Sequence, residues 1–148
     1  VLEALARRAQ WDAPLPKGVG RGLALCESYA AVVAQVVEVE TRGREFRIRR
    51  IVCAADVGPP VCPSGVHAQL EGAIVYGLTA ALWGEVPLAD GAPTLRNFDG
   101  YRLLRLREMP RVDVELVDTG APLGGAGEPG LPPIAPALVN ALASATGE

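Results

Sequence analysis

The chain has 148 residues, enough for one ordinary domain, and 49% of them are hydrophobic, enough to fill a core. Its formal net charge is −3, and its 14 basic residues (Lys17 the only lysine) are scattered or paired, which excludes the basic stripe of a nucleic-acid surface. Three cysteines, Cys26, Cys53 and Cys62, are too few and too irregularly spaced for a disulfide framework or a CxxC metal site.

Leu2, Leu5, Ala6 and Ala9 recur at helical spacing with Arg7 and Arg8 opposite, which predicts a helix that ends before Pro14. The start has neither an initiator Met nor a basic-then-apolar leader. The expectation is a piece of a longer chain, with residues 1–19 as helix and linker of a single domain over 1–148. "PLPKGVGRG" is a loop rich in breakers. Leu23 to Glu40 is apolar and β-branched, and Cys26 and Cys53 lie in apolar runs that read as burying free thiols. In "VVAQVVEVE", Val37 and Val39 face one way, Glu38 and Glu40 the other. After the turn "TRGR", Phe46 and Ile48 alternate with Arg47 and Arg49. These segments read as two strands of an antiparallel hairpin, with opposite charges paired across its outer face.

"GPPVCPSG" breaks the chain, and Ser64 can cap a helix running to about Trp83. Val66, Leu70, Ile74, Leu78 and Leu82 repeat along it at four-residue spacing, with Ala73 and Ala81 alongside. His67, Gln69 and Glu71 make the same stretch a poor membrane span. "GEVPLADGAPTL" reads as a short hairpin through Asp90-Gly91. Asn97 to Met109 reads as irregular with a turn of helix. "RVDVELVD" is a strand with Asp113, Glu115 and Asp118 on its solvated face. Ile134, Leu138 and Leu142, with Val139 beside them, predict a final amphipathic helix. Pro132, Pro133 and Pro136 suit its first turn. Strands and helices mix without a strict βαβ rhythm. The fold class is therefore α+β, with an antiparallel or mixed sheet, a long central helix and a C-terminal helix packed on it.

Chemistry concentrates in "LGGAGEPGLPPIAP", where Glu128 is the one charged residue. Helix N-termini favour anions. Gly124, Gly125, Gly127 and Gly130 permit positive φ and close approach. A carboxylate on a stiff, bare turn suits a general base; the plainer reading is a partner for the helix dipole. Gln69, Gly72 and Tyr76 share one helix face, where a planar cofactor or phosphate fits beside the bared backbone of Gly72. The plainer reading there is that Gly72 and Gly77 serve close packing. His67 has no partners for a metal site. Asp56 is placed to cap a turn.

"AADVGPPVCPSGVHAQLEGAIVYGLTAALWGE", "NFDGYRLLRLREMPRVDVELV" and "GGAGEPGLPPIAPALVNALASATG", in that order, resemble the C-terminal part of the molybdenum-binding large subunit of the xanthine dehydrogenase/aldehyde oxidase family. Within it the chain resembles the isoquinoline 1-oxidoreductase beta-subunit branch, and the likeness covers roughly Gly20 to Gly147. The resemblance implies hydroxylation beside nitrogen in aromatic heterocycles, or aldehyde oxidation, with water as oxygen source. It implies molybdopterin cytosine dinucleotide as cofactor and [2Fe–2S] clusters on a separate small subunit. It makes Glu128 the general base, lays Gln69 against the pterin with Gly72 near by, and runs Gly125, Ala126 and Gly127 beside the metal centre. Cys62-Pro63 stands where the family often has Asn-Pro, a departure that puts in doubt a role for that position in holding the cofactor. The family's subunit is several times longer, so the isolated chain is expected to be inactive and without cofactor. Cytoplasmic and exported forms fit equally. Two other readings are a non-catalytic domain that keeps the fold, and an unrelated enzyme pairing Glu128 with Asp56 or Glu71.

Overall fold

The computed structural model describes residues 1–147. Helix α1 (Leu2–Ala9) ends at Gln10, whose φ of 52° breaks the helical run before Pro14. Strands β1 (Val19–Ser28), β2 (Ala31–Arg42) and β3 (Glu45–Asp56) follow as an antiparallel meander. Helix α2 (Pro63–Trp83) leads to a two-residue-per-strand ribbon, β4 (Leu88–Ala89) and β5 (Ala92–Pro93), around Asp90-Gly91 as the dipeptide predicts. Residues 97–109 carry two short 3-10 turns, and β6 (Arg111–Leu116) then pairs parallel to β3. The sheet order is β1-β2-β3-β6, a mixed sheet, and α3 (Ile134–Thr146) closes the chain. This is the expected α+β architecture.

One expected strand is two. The apolar run into Glu40 folds back at Tyr29-Ala30, with Ser28 opposite Ala31. Both turn residues have positive φ, 53° and 56°. A two-residue hairpin that follows the sheet's twist demands that backbone, and Gly or Asn usually supplies it. Neither is present, so the turn carries no sequence signal.

The sheet is covered on both faces. Val33, Val37, Val39, Ile51, Cys53 and Ala55 point one way into a core with Leu70, Ile74 and Leu78 of α2 and Ile134, Leu138 and Ala141 of α3. Ala34, Val36, Val52 and Ala54 point the other way onto Leu5 and Ala9 of α1. The helical spacings of α2 and α3 thus set the packing, except that Val139 is exposed. Ser64 does not cap α2. Cys62 occupies that position, Pro63 starts the helix, and the Ser64 hydroxyl turns to the Cys62 sulfur at 3.5 Å.

The outer face of the hairpin is not simply solvated, because α1 lies across it. Glu38 is 8% exposed. Arg21 Nη2 donates to its Oε1 at 2.9 Å, and Arg50 Nε stands 3.5 Å from its Oε2. The same guanidiniums serve the open C-terminal end of α1: Arg21 donates to the Gln10 and Trp11 carbonyls and Arg50 to that of Ala9. Cross-strand pairing of charges holds for Glu40 with Arg47, while the register shift at Glu38-Val39 sets Arg50, and not the expected Arg49, opposite Glu38. Asp113 is likewise half-buried, bound by Arg8 at 2.7 Å.

Candidate functional site

The Gly-rich segment runs over the β1–β2 turn and the end of β3. Gly124 N–H donates to the Val57 carbonyl at 2.9 Å, and Gly125 N–H to that of Tyr29 at 2.8 Å. A Cβ on Gly124 would overlap the Ala30 carbonyl, and one on Gly125 would lie 2.9 Å from the Tyr29 Cβ. Glycine is needed here for close approach. Positive φ, expected of Gly124, Gly125, Gly127 and Gly130, occurs at none of them.

Glu128 follows on a tight turn. The Leu131 N–H donates to its carbonyl at 3.0 Å, and Pro129 and Gly130 are buried beneath it. Its side chain is exposed and makes no hydrogen bond or ion pair among the described residues. The helix dipole is not its anchor. Pro132, Pro133 and Pro136 have no N–H to offer an anion, and the Ile134 N–H goes to the Leu131 carbonyl at 3.4 Å. The turn holds Glu128, and the carboxylate is left to solvent or a ligand.

Gln69 stands exposed on α2 beside this turn, its Nε2 3.8 Å from where a Cβ on Gly127 would lie. With Val57, Pro60, Cys62, Val66 and Ala126 it lines an open cleft of about 460 Å³. Gln69, Ala126 and Gly127 are therefore brought together. Gly125 is engaged with Tyr29 instead. Gly72 and Tyr76 are exposed on α2 but do not line the cleft, and nothing lies within 4 Å of a Cβ placed on Gly72. At the cleft's rim the exposed Cys62 thiol is held below its ordinary pKa, chiefly by the Ser64 hydroxyl and then by the Gly65 N–H. Cys53 is buried, and burial pushes its thiol up to about 12. Cys26, expected to be buried, is half-buried.

Asp56 braces the same region. It accepts from the Thr119 hydroxyl and, at 3.0 Å, from the Gly58 N–H, so it caps a turn as expected. These bonds, Thr119 first, hold its carboxyl below the ordinary 3.8. A lowered pKa means that its stabilisation is complete above pH 3.8 and fades as pH falls through the lower folded value. Asp56→Ala should cost about 2 kcal/mol at pH 7, a typical loss for hydrogen bonds to a charged group. The gap from wild type should narrow below pH 3.8. Urea midpoints from pH 7 downward measure both.

No motif marks Gln35. It lies wholly buried in the middle of β2, and its Nε2 donates to the Gly130 carbonyl at 2.7 Å. Its one sequence signal is an amide inside the apolar first half of the strand, Ala31 to Val37.

The site is thus a Gly-rich turn with one exposed carboxylate, set beside an exposed amide on a mixed sheet under two helices. Residues 3–110 match the family model described as a molybdopterin cofactor-binding domain, and the chain belongs to that family. The matched range includes Gln69 and stops short of Glu128. The chain is 37% identical, over all of its length and 20% of the relative's, to isoquinoline 1-oxidoreductase subunit beta of Brevundimonas diminuta. It is 31% identical, over 99% of its length and 20% of the relative's, to a membrane-bound aldehyde dehydrogenase (pyrroloquinoline-quinone) of Gluconacetobacter polyoxogenes. The crystal structure of quinoline 2-oxidoreductase from Pseudomonas putida 86 shares the fold, with a TM-score of 0.67 at 22% identity, covering 79% of this chain and 16% of that one. The chain thus spans about a fifth of the length of the curated relatives it matches. No helix among the described residues is long and apolar enough to cross a membrane.

Proposed function

We propose that this domain forms one wall of the active site of a molybdenum hydroxylase that oxidises aromatic N-heterocycles or aldehydes with water as oxygen source, and that Glu128 is its general base. The observation that carries this reading is the exposed, unpaired Glu128 carboxylate on a turn whose neighbour Gly127 adjoins the Gln69 amide. The substrate classes follow those of the relatives, an isoquinoline 1-oxidoreductase, a quinoline 2-oxidoreductase and an aldehyde dehydrogenase. One of those names carries a quinone; the molybdenum cofactor class rests on the family match of this chain's own residues.

The cleft fits a pterin-type group. It joins an apolar wall of Val57, Val66 and Ala126 to one exposed amide without a partner among the described residues, Gln69. Gln69 would bond the polar edge of the group, and the backbone of Ala126 and Gly127 would lie along it. Gly72 would border a larger group extending past the cleft. When bound, the group supplies the two-electron oxidation. The cytosine dinucleotide form is the proposed one, with [2Fe–2S] clusters on a small partner subunit and the rest of a large subunit completing the pocket.

The protein's share is the proton. Glu128 Oε accepts it from the water-derived hydroxyl as that oxygen attacks the electron-poor carbon, and the rigid turn keeps the carboxylate aimed without rearrangement. In the assembled, molybdenum-loaded enzyme, Glu128→Gln should lower turnover of an N-heterocycle or aldehyde at least about 100-fold while molybdenum content stays at the wild-type level. Unchanged turnover would remove Glu128 from the chemistry.

A further inference from the structure

The face of β2 toward α2 and α3 is apolar at Val33, Val37 and Val39, and Gln35 interrupts it. An amide there is costly unless bonded. Gln35 is 0% exposed, and only half of it is satisfied: Nε2 reaches the Gly130 carbonyl at 2.7 Å, while Oε1 meets no donor. For folding alone, an apolar side chain of the same shape would serve as well, since it would leave no acceptor stranded. What glutamine adds is the bond to Gly130, a residue 95 positions away in sequence.

Gly130 closes the Glu128-Pro129-Gly130 turn. A Cβ on it would lie 3.1 Å from the Ala73 Cβ and 3.2 Å from Leu70, so α2 backs the turn from one side. Within the turn, the Leu131 N–H bonds the Glu128 carbonyl at 3.0 Å. Pro129 fixes one backbone angle in between. The Gly130–Leu131 peptide is thus held at both ends, its N–H on the Glu128 carbonyl inside the turn and its carbonyl by the Gln35 amide from the sheet.

We infer that Gln35 is a positioning residue: by gripping the Gly130 carbonyl it sets the bearing of the Glu128 carboxylate. The inference rests on the reading of Glu128 as the base. It assigns a catalytic consequence to a side chain in the centre of the sheet that never meets substrate.

The test is a double-mutant cycle in the assembled, molybdenum-loaded enzyme, using Gln35→Met, Glu128→Gln and both together, with Gln35→Leu as a second apolar replacement should Met disturb the core. Molybdenum content, melting temperature, kcat, KM and hydrogen exchange at the Leu131 amide are read for each. Gln35→Met should keep molybdenum and melting temperature, speed Leu131 exchange, and lower kcat about 10-fold or more with KM little changed, the signature of a misaimed group. That loss should vanish in the Glu128→Gln background, because the two residues act through one another. An equal loss in that background overturns the inference, as does wild-type kcat with wild-type Leu131 exchange in Gln35→Met. Glu128→Gln alone reports on the base, and Leu131 exchange alone reports on the turn, so a failure of either is recognised separately.

Discussion

Gly22→Ala should lower the unfolding free energy by at least about 3 kcal/mol, the upper range for forced overpacking. Gly22 lies in β1 directly under α3. A methyl group there would sit 2.6 Å from the Asn140 carbonyl carbon and overlap the Ala141 nitrogen and the Ala137 carbonyl. These are backbone atoms of a helix and cannot swing aside as a side chain would. Relief requires lifting α3 off the sheet, and with it Ile134, Leu138 and Ala141, all in the main core. Gly20 stands in the same relation to Ala141 and Ala145. Gly72→Ala is the control. It lies inside α2 with nothing within 4 Å of an added Cβ, and it should gain about 0.5–1 kcal/mol from reduced chain entropy. Urea unfolding followed by circular dichroism measures both. A Gly22→Ala variant as stable as wild type would contradict the packing of α3 on β1.

Glu38→Ala should cost about 3–5 kcal/mol, the usual result of removing one partner from a buried ion pair. The loss would exceed that of any surface bridge here, such as Arg42–Glu40, where the arginine side chain is 79% exposed. Arg21 is nearly buried, with 8% of its side chain exposed, and its charge would be left without a counter-ion. Two arginines would also lose the brace that aims them at the Ala9, Gln10 and Trp11 carbonyls. The damage should therefore appear at α1 first. Hydrogen exchange should rise in α1 before it rises in β2. Glu38→Gln, which keeps an acceptor for Arg21 and the packing volume, should cost less.

The elements that the sequence announces are those whose cause is local. The four-residue spacing of Leu70, Ile74 and Leu78 forms one stripe of α2, and all three are buried. Asp90-Gly91 turns where such a dipeptide turns. The β1–β2 turn is silent because Tyr29 and Ala30 are held in the left-handed region by partners far along the chain. The Tyr29 carbonyl accepts from Gly125, and Gly124 leaves room for Ala30. Two non-glycine residues in that region cost on the order of 1 kcal/mol each, and only tertiary contact can offset it. The same holds at the site. Glu128 and Gln69 stand out because a carboxylate in a glycine run and an amide on an apolar helix are odd in themselves. The reason for the glycines, steric rather than torsional, depends on what lies against them. Gln35 depends on Gly130, and no pattern around residue 35 reveals a partner so distant. Glu38 reads as the wet side of an alternating strand, and only the placement of α1 buries it.

The Gly-rich segment is tied down by main-chain bonds to residues 29 and 57, not by their side chains. Evolution can therefore exchange the side chain at residue 29 without uncoupling the segment from the sheet. Tyr29 is 66% exposed and faces outward from its anchoring bond, while Val57 is 2% exposed and packs in the main core. Such an arrangement separates what a lineage must keep from what it is free to try: the course of the Gly-rich segment is inherited as backbone, while the exposed side chain at the β1–β2 turn drifts toward new shapes.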